Sequence, residues 1–464
     1  MEAGEIKRIG RELKVFMRNF AGCFGRPEPA GHAELYVRGQ LSNLPRKSVE
    51  PMADEAGIDP RALQKFLAQH LWDDALMVRQ THAVVARDHA HPLSIGVFDE
   101  TSYAKKGTKT PGVQRQHCGA TGKRDNCTVT VHLGYATPDF HCLLSSALFL
   151  PESWSEDRER CREAGIPDEL VHRPKWQIAL ELHRQALDQG VGLEWVAADE
   201  GYGRVVEFHL ELTRRRQLYV VEVPVNFWAW GRAPKVLAGK HGPYLGKNAH
   251  NSTVENLAKY SWTFAGQPWQ TFHIKDGTKG PVVWEVKAAP IYLKDSHGLP
   301  TQAHWLIVAR NALKHEEIKY FVSNAAQDVP LKVLLHVAFS RWHVERCFED
   351  EKTELGMDHF EVRTYRAMMR HLALTAISHL FVARLHQKLK KNSAPDGLPG
   401  AHGGECLFDR TRETRPLSAT IPGASVQAHY ADPATELEVS AQSPQENATA
   451  LAACRHSCLQ TATL

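Results

Sequence analysis

The chain has 464 residues, of which 43% are hydrophobic and 23% charged, the composition of a globular protein with more than one structural unit. Its 56 Lys and Arg nearly balance 53 Asp and Glu, so the net charge alone does not identify a partner. The apolar stretches 143–151 and 372–385 are too short or too interrupted to span a membrane, and residues 1–26 lack the apolar core of a secretory signal. These features exclude membrane classes and predict a cytoplasmic protein.

The spacing of cysteines and histidines gives no indication of a metal site. Nine cysteines occur without a Cys-x-x-Cys pair, which is typical of free thiols in a reducing compartment and disfavours a structural zinc site. The 26 histidines include no His-Glu-x-x-His sequence and no paired ligand spacing. We therefore expect most of them at the surface or satisfied in the core.

Two short helices are predicted near the N-terminus. A helix over about 48–56 is followed by the turn Gly57-Ile58-Asp59 and by a second helix, which Asp59 can cap and in which Pro60 suits the first turn. This is the layout of a helix-turn-helix, although an ordinary helical hairpin has the same pattern. The second helix would present three polar side chains to DNA: Arg61, Gln64 and Lys65.

Short apolar strands replace the helical pattern from residue 93 onward. Three strands are followed by a helix, a strand, a helix and a strand, over residues 93–98, 128–135, 141–150, 174–189, 193–198, 205–216 and 218–223. This order predicts an α/β fold with a ribonuclease H-like mixed sheet flanked by helices, in which the first and fourth strands are neighbours.

Changes in these patterns divide the chain into six predicted segments. They are a basic N-terminal segment (1–30), a helical DNA-binding domain (31–90), the first part of a ribonuclease H-like catalytic domain (91–225), a β-rich insertion (226–318), the second part of the catalytic domain (319–392) and a disordered tail (393–464).

Two aspartates follow predicted strands at the position where open α/β sheets place their ligands: Asp99 after the first strand and Asp199 after the fourth. Each could instead cap a turn. A third acid, Glu345, lies on a predicted helix with Arg341 four residues before it and Lys352 seven residues after it, so the three side chains share one stripe. Residues that form salt bridges on the exposed side of a helix have the same spacing. That alternative does not explain why two aspartates follow the predicted strands.

These three acids suit hard divalent cations, which prefer oxygen ligands. Carboxylates on separate elements can hold two ions about 3.5–4 Å apart, an arrangement that activates an attacking oxygen and stabilises a leaving oxygen in phosphoryl displacement. We therefore predict two roles for Asp99, Asp199 and Glu345: they are catalytic residues, and they bind two Mg²⁺ or Mn²⁺ ions. A glycosidase with two carboxylates is a more distant alternative.

Three segments carry a resemblance to a known family: FDETSYAKKGTKTPGVQRQHCGATGKRDNC (98–127), ADEGYG (198–203) and RWHVERCFEDEK (341–352). Together they resemble the DDE transposases of bacterial insertion sequences, and more narrowly the group marked by the signature Y-(2)-R-(3)-E-(6)-K. The resemblance extends over about residues 30–390.

The resemblance implies that the three acids form a catalytic triad and that Arg341 and Lys352 contact DNA. The signature tyrosine falls on Ala338, with Phe339 beside it, so the chain departs from the pattern at the aromatic contact. The implied metal ligands are all retained.

The implied reaction is transposition: a metal-activated water hydrolyses a phosphodiester bond at the element end, and the freed 3′-hydroxyl attacks target DNA. The partners would be the terminal inverted repeats and the target DNA, with a homodimer as one option for the complex. The rival functions are a metal-dependent nuclease without strand transfer and a domesticated, catalytically silent DNA-binding protein.

Further DNA contacts are predicted from a basic loop and from aromatic residues. Residues 103–124 contain basic but no acidic side chains, which suits either a polyanion or a solvated loop. Phosphate contacts are predicted from Lys105 and Lys106, together with the two signature cations. Trp228 and Trp230, which follow the last strand of the predicted sheet, would either stack on an extruded base or fill a small β core.

Overall fold

The computed structural model describes residues 3–277 and 280–393; the tail predicted over 393–464 lies, apart from its first residue, outside the described residues. The N-terminal region is helical, with a short 3₁₀ segment after the first helix. Its elements are α1 (Ala3–Met17), the 3₁₀ segment (Arg18–Cys23), α2 (Pro27–Gln40), α3 (Val49–Glu55), α4 (Pro60–Ala68) and α5 (Asp74–Asp88).

A ten-stranded mixed sheet forms the centre of the molecule. Its strands are β1 (Ile95–Ala104), β2 (Gln114–Cys118), β3 (Lys123–Thr137), β4 (Phe140–Phe149), β5 (Trp195–Ala198), β6 (Leu218–Val223), β11 (Gln270–Gly277), β12 (Gly280–Lys294), β13 (Pro300–Asn311) and β14 (Ile318–Ser323), with four short strands, β7 (Trp228–Ala229), β8 (Val236–Leu237), β9 (Tyr244–Leu245) and β10 (Ser252–Thr253), outside it. The strand order is β11-β12-β13-β14-β6-β5-β1-β3-β2, and β4 also pairs with β3.

The pairing at the centre of the sheet is that of the predicted fold class. Strand β1 is antiparallel to β3 and parallel to β5, which is in turn parallel to β6. The first and fourth strands are therefore neighbours, and the prediction of a ribonuclease H-like mixed sheet is confirmed.

Helices cover both faces of this sheet. They are α6 (Glu152–Glu156), α7 (Arg158–Glu163), α8 (Lys175–Asp188), α9 (Glu200–Gly203), α10 (Val206–Arg214), α11 (Val254–Tyr260), α12 (Trp262–Ala265), α13 (Leu331–Phe339), α14 (Trp342–Thr353) and α15 (Tyr365–Ser393). Within the described ranges, none of the helices combines the length and the apolar character that crossing a membrane requires.

Alternate residues of the central strands enter different cores. Phe98 and Val221 belong to a buried cluster with residues of α8, α15 and the N-terminal helices. Val97 and Val220, one position earlier, belong to a second cluster with residues of α13 and α14. The side chains of successive strand residues point to opposite faces, so the strands are apolar on both sides and require helices on both.

Strands within residues 226–318 extend the main sheet. β13 pairs with β14, which pairs with β6, so β11, β12 and β13 continue the sheet beyond the strands of the first part of the chain. The sequence pattern predicts β structure here but not its partner, because alternation of apolar residues fixes which face is buried and not which strand lies alongside.

Candidate active site

Asp99 and Asp199 lie next to each other on adjacent parallel strands. Phe98 of β1 is in register with Ala198 of β5, so the residues that follow them stand at the same level. Ala198 pairs in turn with Val221 of β6. Glu222, the next residue on β6, therefore stands at the same level as the two aspartates. β1 itself continues past Asp99 in its pairing with β3, so the predicted strand end belongs to β5 and not to β1.

The position of Asp199 is fixed by its own segment. Its Oδ1 accepts hydrogen bonds from the backbone N–H groups of Gly201 (2.9 Å) and Tyr202 (3.3 Å), so Asp199 caps the short helix α9. Gly203 ends this helix so close to β6 that a Cβ atom there would lie 1.9 Å from the carbonyl oxygen of Glu222. The segment ADEGYG thus combines a capping acid with a glycine that permits close approach to the sheet.

Burial makes the negative charge of the two aspartates unfavourable. The side chain of Asp99 is 13% exposed, and burial, followed by the charge of Asp199, raises its pKa to about 7 against the opposing effect of Arg341. Burial, followed by the charge of Glu100, also raises the pKa of Asp199. Adjacent carboxylates of this kind favour a bound cation or a proton.

Arg341 connects the first acid of the predicted triad to the third. Its Nη1 donates a hydrogen bond to Oδ2 of Asp99 at 3.1 Å, and its Nη2 forms an ion pair with Oε1 of Glu345, one turn further along α14. The side chain of Glu345 is 53% exposed, whereas that of Arg341 is 24% exposed. The structure therefore brings the predicted catalytic acids into one region, with a guanidinium between two of them.

The donor set fits Mg²⁺ or Mn²⁺, because it offers carboxylate oxygens and two partly buried aspartates whose charge needs compensation. In the part of the chain that the structure describes, Asp99, Asp199 and Glu345 do not bring oxygen atoms all within 4.8 Å of one another. The guanidinium of Arg341 supplies the positive charge between two of these acids.

The predicted lysines differ in their surroundings. Lys352 is half-buried, with its Nζ 5.8 Å from the centre of the Tyr103 ring, and burial lowers its pKa. Lys105 donates a hydrogen bond to the carbonyl oxygen of Phe360 (2.8 Å) and lies over that ring, and burial lowers its pKa to about 8. Lys106, by contrast, is exposed. The structure gives Lys105 a role in joining β1 to residues 358–360.

The predicted recognition residues lie on α4. Asp59 caps this helix by accepting a hydrogen bond from the backbone N–H of Arg61 at 2.9 Å, and Leu63, Phe66 and Leu67 are buried, as the sequence pattern predicts. The side chains proposed to contact DNA are all exposed: Arg61, Gln64 and Lys65. They belong to a different element from the acids and are not in contact with them.

The two predicted stacking residues are in different environments. Trp228 is 56% exposed, but Trp230 is only 4% exposed and exchanges two backbone hydrogen bonds of 2.9 Å with Tyr292. For Trp230 the deep packing favours the second of the two predicted roles, that of filling a β core. Its backbone bridge to Tyr292 of β12 is not revealed by the sequence pattern.

The position of the signature tyrosine does not present an aromatic side chain. Ala338 and Phe339 end α13, and Phe339 packs against Trp284, with ring centres 5.0 Å apart. Trp342, four residues after Ala338, is 37% exposed and adjoins Arg341. The exposed aromatic side chain nearest the signature arginine in sequence is therefore Trp342.

Sequence reasoning missed several charged neighbours of the site. Lys275 of β11 lies 3.8 Å from the centre of the Trp342 ring, and burial lowers its pKa against the opposing charge of Glu345. Lys175, at the start of α8, pairs with Glu100 of β1, and Lys319 of β14 pairs with Glu222 of β6. No spacing indicates these contacts, because each joins distant parts of the chain; the one sequence indication is that Glu100 directly follows Asp99.

Comparisons with known proteins show the family to which the chain is similar. The family described as DDE superfamily endonuclease matches residues 19–281, more than half of the chain. A relative from Microchaete diplosiphon, named probable transposase for insertion sequence element IS701, is 25% identical over 333 residues, which are 70% of this chain and 75% of the relative. The NurA nuclease of Sulfolobus solfataricus is 9% identical with a TM-score of 0.22, covering 70% of this chain and 94% of that one, and a score this low supports no inference.

Proposed function

The chain belongs to the DDE superfamily of endonucleases, and from this premise we propose that it is the transposase of an insertion sequence. It would cleave phosphodiester bonds at the element ends and join the 3′-hydroxyl ends to target DNA. The observation that carries the proposal is the placement of Asp99 beside Asp199, with Glu345 linked to Asp99 through Arg341. The name of the relative from Microchaete diplosiphon supports the same reaction class.

In the proposed mechanism, the two aspartates and Glu345 would hold two Mg²⁺ or Mn²⁺ ions. Cations bound there would activate the attacking oxygen and stabilise the leaving oxygen of an in-line displacement. The chain contributes buried carboxylates in fixed positions: β1 positions Asp99, and the hydrogen bonds within α9 orient Asp199. Positioning and neutralisation of charge account for most catalysis of phosphoryl transfer, so rigid supports of this kind suit the reaction.

Arg341 is proposed to change partner during the reaction. Its contacts with Asp99 and Glu345 neutralise these acids in the protein alone. Once released from these acids, the guanidinium would bind a phosphate of the DNA end in bidentate fashion. Lys275, beside Trp342 and Glu345, offers a second cation on the same side of α14.

DNA recognition is assigned to a different part of the chain. The exposed side chains of α4 would read the terminal inverted repeats, while phosphate contacts from Lys106, Arg341 and Lys352 would hold the DNA at the acids. Two ends must be processed together for strand transfer, which suits a homodimer in the DNA complex. Such an enzyme would act on the nucleoid in the bacterial cytoplasm.

The experiment that tests this function measures cleavage and joining in one reaction. The purified protein is incubated with Mg²⁺, a labelled fragment carrying an inverted repeat from the flank of its coding region, and a plasmid target. A fragment with the repeat scrambled is the matched control. We expect cleavage at the repeat and a labelled joined product.

Each of the other outcomes identifies a rival function. Cleavage without joined product would identify a metal-dependent nuclease. Specific binding without cleavage, with either Mg²⁺ or Mn²⁺, would identify a DNA-binding protein that has lost catalysis.

A further inference from the structure

A group of metal-ligating side chains lies in the N-terminal helical region, on elements that do not carry the catalytic acids. Glu28 and His32 are on α2, and His70 follows the end of α4. Each offers a ligand atom, and these atoms all lie within 4.8 Å of one another. We propose that Glu28, His32 and His70 form a second metal site, which binds Zn²⁺ or a similar first-row divalent cation.

The chemistry of the donors distinguishes this site from the catalytic acids. Two imidazoles and a carboxylate are the ligands of many zinc sites with an open fourth position, whereas Mg²⁺ prefers oxygen ligands alone. Glu28 is exposed, so water can reach the fourth position. Among first-row divalent ions, such nitrogen-containing sites favour those late in the series, which include Zn²⁺.

The ring nitrogens that face the interior lack other partners. Nδ1 of His32 and Nδ1 of His70 are both buried from solvent, and neither forms a hydrogen bond within the described residues. An imidazole nitrogen left in this state is unfavourable, and a metal bond would satisfy it.

The backbone of His70 is held by rigid neighbours. The backbone N–H of His70 donates to the carbonyl oxygen of Lys65 (2.8 Å), and its own carbonyl oxygen accepts a hydrogen bond from Arg370 (2.9 Å). Arg370 is 2% exposed and donates to three further carbonyl groups at the end of α4 and in the turn after it. These contacts fix the backbone of His70 next to α2 before a metal binds, which reduces the entropy cost of bringing this ligand into place.

The geometry of the group also suits a clamp between two helices. Glu28 and His32 are one turn apart on α2, so their side chains share a face of that helix. A metal here would join the start of α2 to the end of the helix that carries Arg61, Gln64 and Lys65.

The alternative is plain aromatic packing. The rings of His32 and His70 have centres 5.6 Å apart and are tilted by 42°, and Phe66 lies 5.9 Å from His32. Packing of this kind requires neither Glu28 nor a cation. The two explanations therefore differ in whether the full-length protein takes up Zn²⁺ through these residues.

The test is calorimetric titration of the full-length protein with Zn²⁺, after treatment with a chelator and in the presence of excess Mg²⁺. We expect one tight site that His32→Ala and His70→Ala each weaken by more than about 100-fold, since even partners behind metal ligands contribute about 10- to 100-fold. His297→Ala, which changes an exposed histidine, should match the wild type. Co²⁺ bound in place of Zn²⁺ should give visible absorption bands that both histidine variants lose.

Two further variants keep the result interpretable. Glu28→Gln alters an exposed position without risk to folding and should still reduce the affinity for Zn²⁺. Asp99→Asn should leave the tight site intact, which separates it from the catalytic acids. Absence of a tight site in the wild type, or equal affinity in His32→Ala and His70→Ala, would overturn the proposal in favour of aromatic packing.

Discussion

Arg341 donates a hydrogen bond to Asp99 at 3.1 Å, although 242 positions separate the two residues in the sequence. The same guanidinium pairs with Glu345, so one cation serves two acids on different elements. Two buried or partly buried carboxylates near each other repel, and a shared positive charge lowers that cost. The contact therefore ties the position of α14 to the edge of β1, where the catalytic acids are proposed to act.

The proposed metal ligands give the first prediction. Asp99→Asn, Asp199→Asn and Glu345→Gln should each reduce DNA cleavage by at least about 10³-fold, because metal ligands supply several kcal/mol of transition-state stabilisation. Specific DNA binding should be nearly unchanged, since the phosphate contacts remain. Cleavage and gel-shift assays on the same preparations measure both. Asp328→Asn, at an exposed acid, is the control, and full cleavage activity in any triad variant would exclude that residue as a ligand.

Gly203 provides a prediction about the support of Asp199. In Gly203→Ala the new Cβ would lie 1.9 Å from the carbonyl oxygen of Glu222, so α9 must move away from β6. We expect a loss of about 1–3 kcal/mol in stability together with loss of cleavage. Gly192→Ala, where nothing lies within 4 Å of the added carbon, should have neither effect. Thermal unfolding and cleavage rates that stay at wild-type levels in Gly203→Ala would contradict the assigned role of α9.

The proposed recognition helix, α4, gives a prediction about selectivity. Joint replacement of Arg61, Gln64 and Lys65 by Ala should abolish the preference for element ends over random DNA, while weak salt-dependent binding remains. These side chains are exposed, so folding should be unaffected. Competition binding with end and random fragments measures the preference, with Lys314→Ala as an exposed control. Element-end selectivity in a fragment that starts near residue 92 would contradict the assignment to this helix.

The parts of the fold that the sequence predicts depend on local patterns and strand order. The strand order places Asp99 beside Asp199, because β1 and β5 are parallel neighbours in register. Spacings of four and seven residues place Arg341 and Lys352 on the side of α14 that carries Glu345. The capping of α4 by Asp59 follows in the same way from residues that are adjacent in the chain.

The features that sequence reasoning missed are contacts between distant segments. Lys105 binds the carbonyl oxygen of Phe360 and Lys275 lies over Trp342, and no periodicity indicates either pairing. The attachment of β13 to β14, and through it to β6, is of the same kind. Trp230 is buried where its backbone bridges to Tyr292, a residue distant in the sequence. The sequence alone therefore does not show that Trp230 is buried and Trp228 exposed.

The two tryptophans give a prediction that separates packing from DNA contact. Trp230→Ala should cost about 3–5 kcal/mol of stability, because a large buried ring is removed. Trp228→Ala should change stability by no more than about 0.5 kcal/mol. It should slow end processing by about tenfold, since stacking on a base contributes about 1–3 kcal/mol. Melting temperatures and cleavage rates decide the matter, and a large drop in melting temperature for both variants would exclude stacking by Trp228.

A buried acid on α14 gives the last prediction, which concerns pH. Glu351 is 0% exposed and lies 3.1 Å from Nδ1 of His379 on α15. Burial raises its pKa above the ordinary value, against the opposing effect of His379. Above the ordinary pKa of glutamate the native state therefore binds more protons than the unfolded state, so its contribution to stability falls as the pH rises.

Replacing this acid should remove that contribution. Glu351→Gln should gain melting temperature relative to the wild type on going from about pH 5 to about pH 8, because the variant has no carboxyl group to ionise in the core. Glu349→Gln, on the same helix with a side chain 62% exposed, is the matched control and should follow the wild type. The pH dependence of Tm for the three proteins is measured without divalent cations, so that the catalytic acids contribute equally to each. Parallel curves for Glu351→Gln and the wild type would show that Glu351 does not retain its proton in the folded protein.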